Sequence, residues 1–144
     1  MIKKIKNNFD YSAEDLNYIL KRSGLKKGSS VFLTTSLGMF GKVKLNKKDN
    51  IYKLFYYELL KIIGKNGNLF VPTYSYSFGD DSKKKIFDIK KTPAKIGPFP
   101  NFMLNQKRVL RSKDPMMSIC GIGPRVKKLF RNLPNTTYGK DCLY

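Results

Sequence analysis

Two short apolar runs flanking one amphipathic stretch constrain this chain most. Ser30 to Thr35 and Asn68 to Thr73 are β-branched and apolar, and each reads as a buried strand. Between them, Ile51, Leu54, Phe55, Leu59 and Ile62 recur on one face of a helix predicted over Asn50 to Ile63. Asp49 is placed to cap that helix and Gly64 to end it. Strand, helix, strand in this order predicts a right-handed parallel crossover. The fold class that follows is α/β, with a mostly parallel central sheet flanked by helices. In an open sheet of that kind ligands bind beyond the carboxyl ends of the strands. Thr34-Thr35-Ser36 and Pro72-Thr73-Tyr74 both fall there, which makes that edge the first candidate site.

The remaining pattern fills in around this unit. Ser12 is a helix cap with Glu14 and Asp15 in the first turn. Leu16, Ile19 and Leu20 continue that helix toward a stop near Gly24. Residues 75–96 are polar and lysine-rich, a long surface loop of the kind that forms lids and binding loops. A short helix is predicted over Pro98 to Asn105, short strands at Val109-Leu110 and Ser118 to Ile122, and a helix over Pro124 to Leu129. Thr136 to Tyr144 carries no closing element. With no internal repeat and no linker, the 144 residues read as part of one domain.

Composition narrows the function classes. Ten Phe and nine Tyr exclude a disordered chain. Twenty-nine basic residues against ten acids give a net charge of +19, which suits nucleic acid, an anionic membrane or a phosphate-bearing ligand. The lysines are scattered, however, and a solvated lysine surface is a simpler account of them than a dedicated nucleic-acid face. Cys120 and Cys142 form no C-x-x-C pair, so free thiols in a reducing compartment are expected, and no metal site. The polar N-terminus and the absence of any apolar run of about 18 residues point to a cytoplasmic protein without a membrane partner. There is no histidine, so no Ser-His-Asp or Cys-His arrangement can be built from these residues. Asp80, Asp81, Asp88 and Asp114 offer carboxylates, but their spacing selects no pair.

Four segments in register say more. They are Val31 to Gly41 (VFLTTSLGMFG), Leu69 to Tyr74 (LFVPTY), Phe87-Asp88 with Thr92-Pro93 and Gly97, and Arg111 to Ser118 (RSKDPMMS) followed by Gly121 and Gly123. Their order and spacing resemble the aminoglycoside 3-N-acetyltransferase, or antibiotic N-acetyltransferase, family over residues 12–144. The resemblance implies an antibiotic N-acetyltransferase-like fold whose C-terminal part is missing, residues 1–144 being the N-terminal portion of a single domain. It implies acetyl-CoA as co-substrate and direct transfer of the acetyl group to an amine of an aminoglycoside or amino sugar. Relatives often carry His where Thr34 and Asp114 stand here, and their catalytic His and assisting Glu fall in a segment expected past Tyr144. No catalytic residue is therefore assigned, and the chain alone is expected to be inactive.

By the same resemblance, Thr35, Ser36, Leu37, Arg111, Ser112 and Ser118 are the cofactor-binding candidates. The Thr35-Ser36-Leu37 turn can offer N–H and hydroxyl donors, and a guanidinium fork suits phosphate or pantetheine oxygens. Each has a plainer reading: a turn for Thr35 to Leu37, a surface ion pair for Arg111, turn capping for Ser112 and Ser118. Thr73, Tyr74 and Asp114 are the substrate-binding candidates. Tyr74 reads equally as a core aromatic, and Asp114 as the cap of its own Asp-Pro turn. The Asp114-Pro115 form, with Tyr138 to Cys142 after it, looks more like relatives from sugar and polysaccharide biosynthesis than like resistance enzymes. The competing class is a non-catalytic basic module that binds nucleic acid or another polyanion, which only the charge supports. The oligomeric state is not legible.

Overall fold

A computed structural model describes residues 9–79, 85–134 and 137–140. In chain order the elements are α1 (Ala13–Arg22), β1 (Ser30–Phe32), a single 3-10 turn (Leu37–Met39), α2 (Ile51–Ile63), β2 (Asn68–Pro72), α3 (Pro98–Leu104), β3 (Leu110–Arg111), β4 (Ile119–Ile122) and α4 (Val126–Arg131). Asp80, Asp81, Cys142 and most of the stretch from Thr136 to Tyr144 lie outside the described residues.

Local chemistry explains where the helices begin. Ser12 Oγ accepts from Asp15 N at 3.2 Å and Asp15 Oδ2 accepts from Ser12 N at 2.9 Å, a reciprocal capping box. At α2 the cap is Asn50, whose Oδ1 accepts from Lys53 N at 2.9 Å, and not Asp49 as predicted. Asp49 stands one residue too far out to reach that N–H and pairs instead with Lys53 Nζ at 2.6 Å. Helix α4 starts at Val126, two residues later than predicted, so Pro124 lies in the turn ahead of it.

The sheet runs in the order β1-β2-β4-β3. Strands β1 and β2 are parallel, in register from Ser30↔Asn68 to Phe32↔Phe70, and α2 connects them as the strand-helix-strand pattern requires. The other two pairings, β2 with β4 and β3 with β4, are antiparallel. The expected α/β class with flanking helices is therefore found, while the mostly parallel arrangement is corrected to a mixed sheet. The reason is the link between β3 and β4: residues 112–118 are too few for a parallel crossover, which needs a dozen or more, so the chain must turn back on itself. A second correction concerns β1. It is an edge strand with Ser30 and Phe32 exposed, not a buried one, and it ends at Phe32.

Strand β2 is the centre of the molecule. Leu69 and Val71 are fully buried and pack with Cys120, Phe55, Leu59, Ile63, Phe99 and Met103 in one core. Phe55 and Phe99 meet edge to face at 6.3 Å between centroids, a favoured aromatic geometry. Asn68, also buried, donates from Nδ2 to Ser30 Oγ at 2.9 Å and accepts Arg125 N on Oδ1 at 2.9 Å. Gly123 makes that approach feasible: at φ +140° a Cβ there would lie 2.5 Å from both Asn68 Oδ1 and Gly67 O. The described parts of the 75–96 stretch form no helix or strand and are mostly exposed, the predicted surface loop, anchored at its two ends. Ser75 and Ala94 are buried, and Lys95 N donates to Tyr74 O at 2.7 Å.

Candidate functional site at the carboxyl edge of the sheet

The parallel register sets the carboxyl ends of β1 and β2 side by side, with Leu33 N donating to Phe70 O at 2.9 Å just beyond the ladder. The chain leaves β1 through Thr34, Thr35 and Ser36 into the 3-10 turn. Thr34 and Ser36 are exposed, and Ser36 makes no side-chain capping bond. Leu37 turns its side chain into the core, which anchors the turn and leaves its backbone as the part able to face a ligand. Thr35 Oγ1 is buried with no hydrogen-bond partner among the described residues. A buried hydroxyl without a partner carries a desolvation penalty and calls for an explanation.

The end of β2 is organised differently. Thr73 is fully buried, and its Oγ1 donates to Ser118 O at 3.0 Å, while Ser118 Oγ donates back to Thr73 O at 2.8 Å. Arg111 completes the cluster. Its Nε donates to Ser118 Oγ at 3.0 Å, its Nη2 to Thr73 O at 2.8 Å and its Nη1 to Thr92 O. The guanidinium also lies over the Phe87 ring, 4.8 Å from the centroid, a cation–π distance. Burial lowers the Arg111 pKa from its ordinary value, and among the described residues it has no carboxylate partner. Ser112 is buried beside it, accepting Ile119 N on Oγ at 2.9 Å.

The structure thus brings Thr73, Arg111, Ser112 and Ser118 together as one buried polar cluster. Thr35, Ser36 and Leu37 form a separate group at the end of the neighbouring strand. Tyr74 is half-buried, its ring edge-to-face with Tyr76 at 6.0 Å. Asp114 caps its own turn, Oδ1 accepting Met116 N at 2.7 Å and Met117 N at 2.9 Å. Sequence reasoning did not single out Phe87 and Thr92 as partners of Arg111, although both stood in the third of the four segments. Asp88 organises the turn that carries them. Its carboxylate accepts Lys90 N at 2.8 Å and Lys91 N at 3.0 Å, and these backbone bonds hold its pKa below the ordinary carboxylate value. Among the described residues no group of three or more Cys, Asp or Glu could hold a metal ion, and no helix is long and apolar enough to cross a membrane.

The fold that carries this edge has counterparts among known proteins. The aminoglycoside 3-N-acetyltransferase family profile matches residues 32–143, which contain the whole candidate site, and the chain belongs to that family. Among solved structures, AAC-VIa bound to sisomicin superposes with a TM-score of 0.74 at 22% identity, covering 91% of this chain and 53% of its own. Aminoglycoside acetyltransferase AAC(3)-Xa gives 0.72 at 22% identity, covering 85% and 47%. AAC-IIIb in a binary complex with CoASH gives 0.70 at 18% identity, covering 86% and 50%. The chain therefore shares their fold and spans about half the length of each. No curated protein sequence matches it.

Proposed function

We propose that these residues are the N-terminal portion of a single N-acetyltransferase domain that uses acetyl-CoA to acetylate an amine of an aminoglycoside or amino sugar. The observation that carries this reading is the family match over residues 32–143, which spans both strand ends. The residues present suit the co-substrate: Thr35 Oγ1 is a buried polar atom with no partner among the described residues, beside an exposed serine hydroxyl and a turn whose first N–H groups, Leu37 and Gly38, have no acceptor within the turn. Bound coenzyme would supply the acyl group as a thioester. Thr35, Ser36 and the Leu37 and Gly38 N–H groups would hold its amide and carbonyl oxygens, Met39 N being already given to Ser36 O. Thr73 and Ser118 fix the shape of the adjoining strand end, and Tyr74 and Asp114 border the space for the amine. Asp114 keeps Oδ2 for a cationic amino group. With no histidine among the 144 residues, no general base is assigned to them.

Calorimetric titration of the chain with coenzyme A tests this. Saturable binding is expected, weakened about tenfold by Thr35→Val, which keeps the side-chain shape and removes the hydroxyl. Affinity for an oligonucleotide equal to that for coenzyme A, with both collapsing as salt rises, would instead establish a polyanion-binding module.

A further inference from the structure

Burying a cation without a carboxylate is costly, and a structure that tolerates it gains something specific from the charge or from its geometry. Arg111 is 8% exposed, and its contacts are two backbone carbonyls, one hydroxyl and one aromatic face. Those partners come from three separate places. Thr73 follows β2, Ser118 precedes β4, and Thr92 with Phe87 belongs to the turn organised by Asp88. That turn is tied within itself by Thr92 N to Asp88 O at 2.9 Å and Asp88 N to Thr92 Oγ1 at 2.8 Å. Three residues further on, Lys95 N donates to Tyr74 O, just past the end of β2. A planar fork is the only side chain whose donors reach three acceptors in one plane while its face packs on a ring.

We propose that Arg111 is a positioning residue: it locks the Phe87–Thr92 turn against the carboxyl ends of β2 and β4, and the ligand affinity of this edge depends on that lock. The role differs from direct contact with phosphate or pantetheine, because the side chain is buried and three of its five N–H groups, at least one on every guanidinium nitrogen, already donate to the protein. The ligand clause rests on the coenzyme-binding reading above; the lock itself does not.

Peptide-resolved hydrogen exchange and coenzyme A titration of the 144-residue chain separate the two. Arg111→Lys keeps the charge and removes the fork. Phe87→Leu keeps Arg111 and removes the ring face, and serves if the first variant does not fold. Phe87→Tyr restores the face. Expected in Phe87→Leu is exchange over residues 87–92 faster by about tenfold or more, with β2 protection and the melting midpoint nearly unchanged. Arg111→Lys, which also leaves the buried acceptors Ser118 Oγ and Thr73 O short of a donor, melts earlier, and its turn loosens more than β2 does. Coenzyme A affinity falls in parallel, and Phe87→Tyr behaves as wild type. Unchanged exchange in the turn, or an even loss of protection across β2 and β4, overturns the lock. Loosening of the turn with undiminished coenzyme A affinity overturns its role in binding. Absence of coenzyme A binding by the wild-type chain counts against the functional reading and the ligand clause together, while the exchange data still decide the lock.

Discussion

At the carboxyl end of β2, Thr73 Oγ1 donates to Ser118 O at 3.0 Å and every partner in the cluster is itself bonded, whereas Thr35 Oγ1, at the end of β1, is buried without a partner among the described residues. The two threonines are alike in chemistry and occupy equivalent places beyond parallel strands. One closes a network that joins β2, β4 and the Phe87–Thr92 turn, and the other leaves hydrogen-bonding capacity unspent. The contrast separates scaffold from surface: a satisfied hydroxyl holds the edge in shape, and an unsatisfied one is where a ligand has something to gain.

The sharpest way to break this comparison is Ser118→Ala. It strips Arg111 Nε of its acceptor and Thr73 O of a donor inside a buried cluster, so a loss of about 2–3 kcal/mol is expected in urea unfolding. A loss as small as a surface substitution gives would mean the cluster is not holding the edge. The next effect is alkaline. Burial pushes the Cys120 thiol, beside Arg111 in register, from 9.0 up to about 12, and raises Tyr56 as well. Between those pH values the unfolded thiol has lost its proton and the folded one keeps it, so stability falls as pH rises. Thermal unfolding followed from pH 9 to pH 10 should register on the order of 1 kcal/mol. A flat profile would show that water reaches β4. The smallest effect should come from Thr35→Val, neutral or stabilising by up to about 0.5 kcal/mol, because no bond is lost and a buried polar atom is removed. Destabilisation by more than about 1 kcal/mol would show that Thr35 is bonded like Thr73.

Much of this was legible in the sequence because the signals were local. The Ser12 to Asp15 capping box, the apolar face of α2 and the unbroken run Leu69 to Val71 each name their own structure. The parallel β1–β2 pair and the placing of Thr35 and Thr73 at strand ends followed from them. What local pattern cannot reveal is which strand lies beside which. Nothing in Ile119 to Ile122 says that it inserts between β2 and β3, and so the sheet's mixed character was hidden. Phe32 looked like core and is half-exposed because its strand lies at the edge. Arg111 was hardest of all. Charged residues are rarely buried, and its acceptors are mostly backbone carbonyls, which leave no mark in a sequence.

Asn68 and Thr73 also bracket β2, one side chain bonded outward at each end of a five-residue strand. A slip of one residue would turn Phe70 inward and Leu69 and Val71 outward. It would also pull Asn68 from Ser30 and Arg125 at one end and Thr73 from Ser118 at the other, in a single step. A one-residue slip loses these side-chain bonds together. The strand therefore checks its own alignment from both ends as the sheet assembles, and an edge strand as short as β1 inherits a correct template to dock against.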